Sequence, residues 1–205
     1  MKMNNIRLSV LMLIIASCTD VNNSKNLAVS LHEKPLIEVQ PQPRPLPNPD
    51  KNAYFGDLHV HTENSFDAYT FGTISTPADA YKYAQGYPIQ HPSGYLIQLS
   101  KPLDFYAVTD HGIFMGLMKE AADTTSEFSK YEFTKPLHNL NDSGGTGFFS
   151  LIKRNGLFRL FGENVREGLA DGSIDGSLIL EVGRTVWQKT IKAADDAYVP
   201  GSFTS

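Results

Sequence analysis

The sequence predicts an α/β domain over residues 53–205, and three stretches carry that expectation. "GDLHVHT" (56–62) alternates apolar and polar side chains as a strand does, "TPADAYKYA" (76–84) opens like a helix, and "PLDFYAVTDHG" (102–112) reads as a short buried strand running into a loop. Strand, helix and strand in that order form a βαβ unit. The apolar content of 41 % in 205 residues is enough for a globular core.

Two segments precede that domain. Residues 1–17 have export-signal anatomy: Lys2 and Arg7 give a positive start, and the predominantly apolar stretch Leu8–Ala16 leads to the small residue Ser17. Nine residues at about 1.5 Å each fall short of a hydrocarbon layer of about 30 Å, so a cleaved signal is preferred to a spanning helix. The stretch "IASC" (15–18) resembles the lipobox of bacterial lipoproteins, which implies lipidation of Cys18 and anchoring to a membrane of the cell envelope, in the periplasm or at the cell surface. The alternatives at Cys18 are a free buried thiol or an ordinary cleaved signal. It is the only cysteine, so no intrachain disulfide is available. Residues 18–52 form a proline-rich tether: six of the twelve prolines fall between Pro35 and Pro49, a spacing that favours an extended, disordered, polyproline-like chain. His32 lies in this tether and is expected to be solvated, away from any site.

Within the domain, Thr76 is the expected N-cap of the first long helix, with Pro77 at its first position and Asp79 near the positive end of the dipole. Pro92–Gly94 makes a turn, and "GLMKEAA" (116–122) begins the next helix. "NLNDSGGTG" (139–147) is loop, and Phe148 to Phe161 reads as a core-packed helix. Its basic residues Lys153, Arg154 and Arg159 make a membrane-facing helix the weaker alternative. "SLILE" (177–181) reads as a strand-like run with Glu181 an ordinary strand-end residue. Trp187, Ile191 and Ala194 share one helical stripe expected to pack on the core. The net charge of −4, without a long basic run, argues against a nucleic-acid partner.

The chemistry concentrates in "DLHVHTENSFD" (57–67). On an extended strand Asp57, His59 and His61 point one way while Leu58 and Val60 point the other, giving a ligand face and a packing face. Two imidazoles at i and i+2 can hold one divalent ion or two neighbouring ones. Asp67 can fold back over them, and Asp57 suits an outer role, orienting an imidazole through its second nitrogen. With six histidines in the chain, chance alone gives roughly 0.2 such pairs, so the spacing needs support. Asp110 and His111 supply it at the C-terminal end of the second strand, where sites assemble in parallel α/β folds. Strand parity lets both face the site only if the chain turns there. Gly112 permits a turn, and His111 is the firmer ligand of the two. The plain alternative is that these are ordinary core or surface histidines with carboxylate caps. Ser65, His91, Lys101, His138 and Arg184 have no spacing argument and are assigned no role.

"DLHVHT", the serine and aspartate that follow, and "TDH" resemble the first two motifs of the PHP (polymerase and histidinol phosphatase) superfamily. More closely, "YFGDLHVHTENSFDAYTFGT", "TPADAYKYAQG" and "LDFYAVTDHG" are similar to the DUF3604 family from about Tyr54 to Gly116, and "YVPGSFTS" (198–205) is similar to the stretch before that family's glycine-tyrosine-glutamate-tryptophan segment. The resemblance implies a distorted seven-stranded β/α barrel that binds two or three divalent transition-metal ions, manganese, iron or zinc, and hydrolyses phosphoester or phosphonate ester bonds of a small substrate. By position it implies metal ligands at His59, His61, Asp67 and His111, with Asp110 a ligand or outer partner. Ile113 stands where many relatives carry glutamate. The roughly 150 residues after the tether fall short of the about 200 a complete barrel takes. The expected protein is therefore the N-terminal portion of such a barrel, a partial distorted β/α barrel. The alternative is a non-catalytic envelope lipoprotein that keeps a degenerate metal-binding barrel fragment, and a third is a metal binder without turnover.

Overall fold

Strand β1 (Gly56–Val60) carries the first histidine motif and lies parallel to β4 (Phe105–Val108) in the computed structural model, which describes residues 46–142 and 148–205. The pairing joins Gly56 to Phe105, Asp57 to Tyr106 and Val60 to Val108, with an irregularity in register between Asp57 and Val60. Gly56 is required at the start of this pair. A Cβ there would sit 2.1 Å from the Phe105 carbonyl oxygen.

The crossover contains α1 (Phe66–Thr70), α2 (Pro77–Ala84) and a small antiparallel hairpin of β2 (Ile89–Gln90) and β3 (Leu96–Ile97). Helix α2 starts where its chemistry dictates. The Thr76 hydroxyl accepts from the Asp79 N–H at 3.1 Å, and the Asp79 carboxylate accepts from the Thr76 N–H at 3.1 Å, a reciprocal capping box with Pro77 behind it. After β4 come α3 (Leu117–Ala122), two 3₁₀ turns (Phe128–Lys130 and Glu132–Leu137), α4 (Phe148–Asp171) and α5 (Gly176–Ala197). The final residues return to the sheet. Tyr106 N–H donates to the Thr204 carbonyl at 2.9 Å and Thr204 N–H to that of Asp104 at 3.0 Å, so the chain lies parallel to β4 on the edge opposite β1.

Two apolar clusters support these elements. One gathers Leu117, Met118 and Ala121 of α3, Phe128 and Leu137 of the 3₁₀ turns, and Phe161 and Val165 of α4. The other packs Tyr81 and Ala84 of α2 against Ala193 and Ala197 of α5 and against Phe203. Fully burying each larger side chain contributes about 1.5–3 kcal/mol. The architecture is a mixed α/β fold with small sheets and no closed barrel among the described residues.

Several expectations need correction. "SLILE" is not a strand. Residues 177–181 lie in the first turns of α5, started by Asp175, whose carboxylate accepts from the Ser177 N–H, and Glu181 is an exposed helix residue. The buried stripe of α5 is Val186, Thr190, Ala193 and Ala197, so Trp187 (52 % exposed) and Ile191 face outward and only Ala194 of the expected stripe touches the core. Small residues let α5 approach α2, which the larger Trp187 and Ile191 would prevent. Leu58 is 67 % exposed, so the packing face expected on β1 has no cover there. Arg154 is not on a membrane-facing surface but is buried at 3 %. The signal over residues 1–17, Cys18 and His32 lie outside the described residues, as do 143–147 of the expected loop. Among the described residues no helix is long and apolar enough to cross a membrane.

Candidate metal centre

The end of β1 and the end of β4 are fastened together by side chains reaching across the gap. Val60 N–H donates to the Thr109 hydroxyl at 2.9 Å, and Thr109 N–H donates to the Val60 carbonyl at 2.7 Å. One step on, Asp110 accepts from the Thr62 N–H at 2.5 Å and from the Thr62 hydroxyl at 2.7 Å. His111 N–H then donates to the Ser65 hydroxyl oxygen at 3.2 Å, and Gly116 N–H to the Asn64 carbonyl at 2.7 Å. Thr62, Glu63, Asn64 and Ser65 are all buried, so the loop that carries His61 is clamped rather than free. Glu63 adds an ion pair to Lys119 of α3.

This clamp brings four predicted site residues together. His59 Nε2 and His61 Nε2 are 3.1 Å apart. On its other side, His61 Nδ1 lies 3.0 Å from Asp67 Oδ2, and His111 Nε2 lies 3.3 Å from the same oxygen. The imidazole rings of His61 and His111 meet edge to face with centroids 4.7 Å apart. His61, Asp67 and His111 offer ligand atoms all within 4.8 Å of one another. Asp67 reaches the cluster from α1, whose last carbonyls are capped by side chains: Arg154 donates to the Thr70 carbonyl at 2.7 Å, and Asn141 donates to that of Tyr69 at 2.9 Å.

The electrostatics differ between the two carboxylates. Burial acts to raise the Asp67 pKa, but the Ser65 hydroxyl, the Ala68 N–H and His61 together hold it below the ordinary value, so Asp67 is an anion facing two imidazoles. Burial dominates at Asp110 and pushes its carboxyl up, against the opposing hydrogen bonds from Thr62. Asp110 is thus held by Thr62 rather than by an imidazole. Asp57 accepts from the backbone N–H of His59 at 3.0 Å and so holds the strand rather than an imidazole nitrogen.

The other described histidines, His91 and His138, lie elsewhere. His91 stacks on Tyr95 in the β2–β3 hairpin with centroids 4.3 Å apart, and His138 Nε2 is 3.1 Å from the Ser129 carbonyl. Sequence reasoning left Ser65 without a role and missed Thr62, Thr109 and Phe66, whose ring lies 4.9 Å from that of His111. Hydroxyl residues flanking both histidine motifs were the available signal.

The donor set fits a transition-metal cation. Two nitrogen donors at about 2.0–2.2 Å from one ion, at angles between about 90 and 110°, are about 2.8–3.6 Å apart, and the His59–His61 separation of 3.1 Å falls in that range. Asp67 Oδ2 and His111 Nε2, 3.3 Å apart, form a second pair of donors beside the first, while the hydrogen bond between His61 Nδ1 and Asp67 orients the His61 ring. Mixed imidazole and carboxylate ligands suit manganese, iron and zinc.

Comparison with known proteins places this centre in a family. Neither characterised proteins nor solved structures yield a match to the chain. A family profile described as a protein of unknown function, DUF3604, matches residues 48–205, spanning β1, β4 and every residue of the cluster. The chain belongs to the DUF3604 family.

Proposed function

We propose that this protein is a metal-dependent hydrolase of phosphoester or phosphonate ester bonds, related to the PHP superfamily, and that residues 53–205 are the N-terminal portion of its catalytic domain. The observation that carries the reading is the convergence of His59, His61, Asp67 and His111 at the C-terminal ends of two parallel strands, the usual location of sites in such folds. The parallel segment at Thr204 beside β4, and the exposed Phe55 just before β1 and Leu58 within it, support a sheet that grows with further strands into a partial β/α barrel.

In this reading His59, His61, Asp67 and His111 hold two or three divalent ions, manganese, iron or zinc. Bound there, such cations supply Lewis acidity toward phosphoryl oxygens and lower the pKa of water toward neutrality. The chain's own contribution is placement. Asp110 fixes Thr62 and hence His61, and Ser65 ties the backbone of His111 to the carboxylate of Asp67. The signal-like N-terminus and Cys18 support a lipid-anchored location in the bacterial envelope, and the proposed substrate is a small phosphorylated or phosphonate compound.

Turnover of phosphate and phosphonate mono- and diesters by the metal-loaded protein, in the longest form its coding DNA specifies, tests the proposal. Hydrolysis that disappears in His59→Ala and His111→Ala is the expected result. Metal uptake without hydrolysis of any of these esters would favour the non-catalytic envelope lipoprotein instead.

A further inference from the structure

Beside the cluster lies an open groove of about 280 Å³ lined by Phe66, Phe114, Phe158, Phe161, Arg159 and Arg166, with Gly162 and Glu163 between the arginines. Its wall is shared with the metal centre. The Phe66 ring lies 4.9 Å from the imidazole of His111 on one side and stacks on Phe158 at 5.2 Å and 20° on the other. Phe114 closes the floor edge-on to Phe66 at 6.1 Å and to Phe161 at 5.8 Å. To do so it adopts φ +53°, a left-handed backbone unusual for a bulky side chain, three residues after His111. The loop that delivers the imidazole is thus bent to deliver a phenyl ring to the groove as well.

The rim has a different character. Arg159 and Arg166 are exposed, seven residues apart on α4, and their guanidiniums have no ion-pair or hydrogen-bond partner among the described residues. Two guanidiniums against the single carboxylate of Glu163 leave the rim net positive. Aromatic walls offer flat apolar contact, and guanidinium forks suit a carboxylate or a phosphate.

We propose that this groove is the subsite for the organic part of the substrate, and that it selects an aromatic ester carrying a second anionic group. The inference deepens the hydrolase reading and rests on it for the position of the reacting phosphoryl group. An apolar cavity of about 150 Å³ already admits benzene, so an aryl ring fits this groove. Phe66 stands between His111 and Phe158, so with the phosphoryl or phosphonyl group at the metal centre a ring joined through a short alkyl linker passes the edge of Phe66 to lie against Phe158, and a distal anion reaches Arg159 and Arg166.

The test uses three non-hydrolysable probes, methylphosphonate, 3-phenylpropylphosphonate and 3-(4-carboxyphenyl)propylphosphonate, titrated calorimetrically into the full chain with and without manganese. The phenylpropyl probe is expected to bind about tenfold more tightly than methylphosphonate, and Phe158→Ala to bring the two within about twofold. The carboxylated probe is expected to gain about a further fivefold, lost in Arg159→Gln and Arg166→Gln. Both arginines are exposed, so these variants fold even if Phe158→Ala does not. Equal affinity for the methyl and phenylpropyl probes, or a carboxylate preference untouched by both arginine variants, overturns the proposal. Metal content, measured separately, keeps the two readings apart. A chain that loads manganese yet shows no aryl preference refutes the groove alone, and an aryl preference in a chain that takes up no metal supports the groove while counting against the metal centre.

Discussion

Asp110 accepts both polar hydrogens of Thr62, the backbone N–H at 2.5 Å and the hydroxyl at 2.7 Å, and so joins the loop after β1 to the loop after β4. Thr62 is fully buried, so no water replaces the bond if one partner is removed. Thr62→Val keeps the shape and leaves one carboxylate oxygen without its donor, at a cost of about 1–3 kcal/mol. Urea denaturation should register that loss. Metal affinity should fall with it, since His61 is the preceding residue. Unchanged stability and unchanged metal content would mean that the link positions nothing.

Arg154 carries the second structural prediction. Its guanidinium donates to the carbonyls of Thr70 and Leu140, to Asn141 and to Ser150 while only 3 % exposed. A lysine ammonium cannot copy that planar fork, so Arg154→Lys should destabilise the fold by about 2–3 kcal/mol, and the cost should appear as a lower denaturation midpoint. Because Thr70 ends the helix that presents Asp67, a stable Arg154→Lys with wild-type metal affinity would contradict this role.

Gly116 holds φ +72° at the start of α3, and a Cβ there would meet Val186 at 2.5 Å. Gly116→Ala therefore combines backbone strain of about 1 kcal/mol with a steric clash against α5. Thermal denaturation of Gly116→Ala should show a Tm several degrees lower. Adding Val186→Ala should restore part of it by removing the methyl group in the way.

Alkali offers a test on Tyr69. Burial above all, with Glu63, Asp142 and Asp123 adding negative charge, pushes its phenol up to about 12 from 10. Below pH 10 the hydroxyl is neutral in folded and unfolded chains alike. Above it only the unfolded chain ionises this group, so its contribution to stability is lost between pH 10 and about 12. Denaturation midpoints should fall over that window, and Tyr69→Phe should flatten the fall. An identical slope in the variant would show that Tyr69 does not ionise differently on folding.

What the sequence disclosed, and what it hid, follows from the range of the interactions involved. The start of α2 was legible because Thr76, Pro77 and Asp79 act within one turn, and β1 and β4 were legible from alternation and a short apolar run. Helix α5 was half legible. Its β-like opening "SLILE" misled because apolar residues in a short run carry no period of their own, and Asp175, the residue that starts a helix there, precedes the run. At the site, residue types and spacing singled out His59, His61, Asp67 and His111, which the fold brings together. The division of labour between Asp67 and Asp110 was not legible, because it depends on Thr62 and Ser65 meeting partners 46 to 48 residues away.

Metal analysis of the purified protein bears most directly on the shared cation at the ends of β1 and β4. Manganese, iron or zinc should copurify or load in stoichiometric amount, fall sharply in both His59→Ala and His111→Ala, and stay at the wild-type level in His91→Ala, whose ring stacks on Tyr95 in the distant hairpin. Equal metal content in all four proteins would contradict the account.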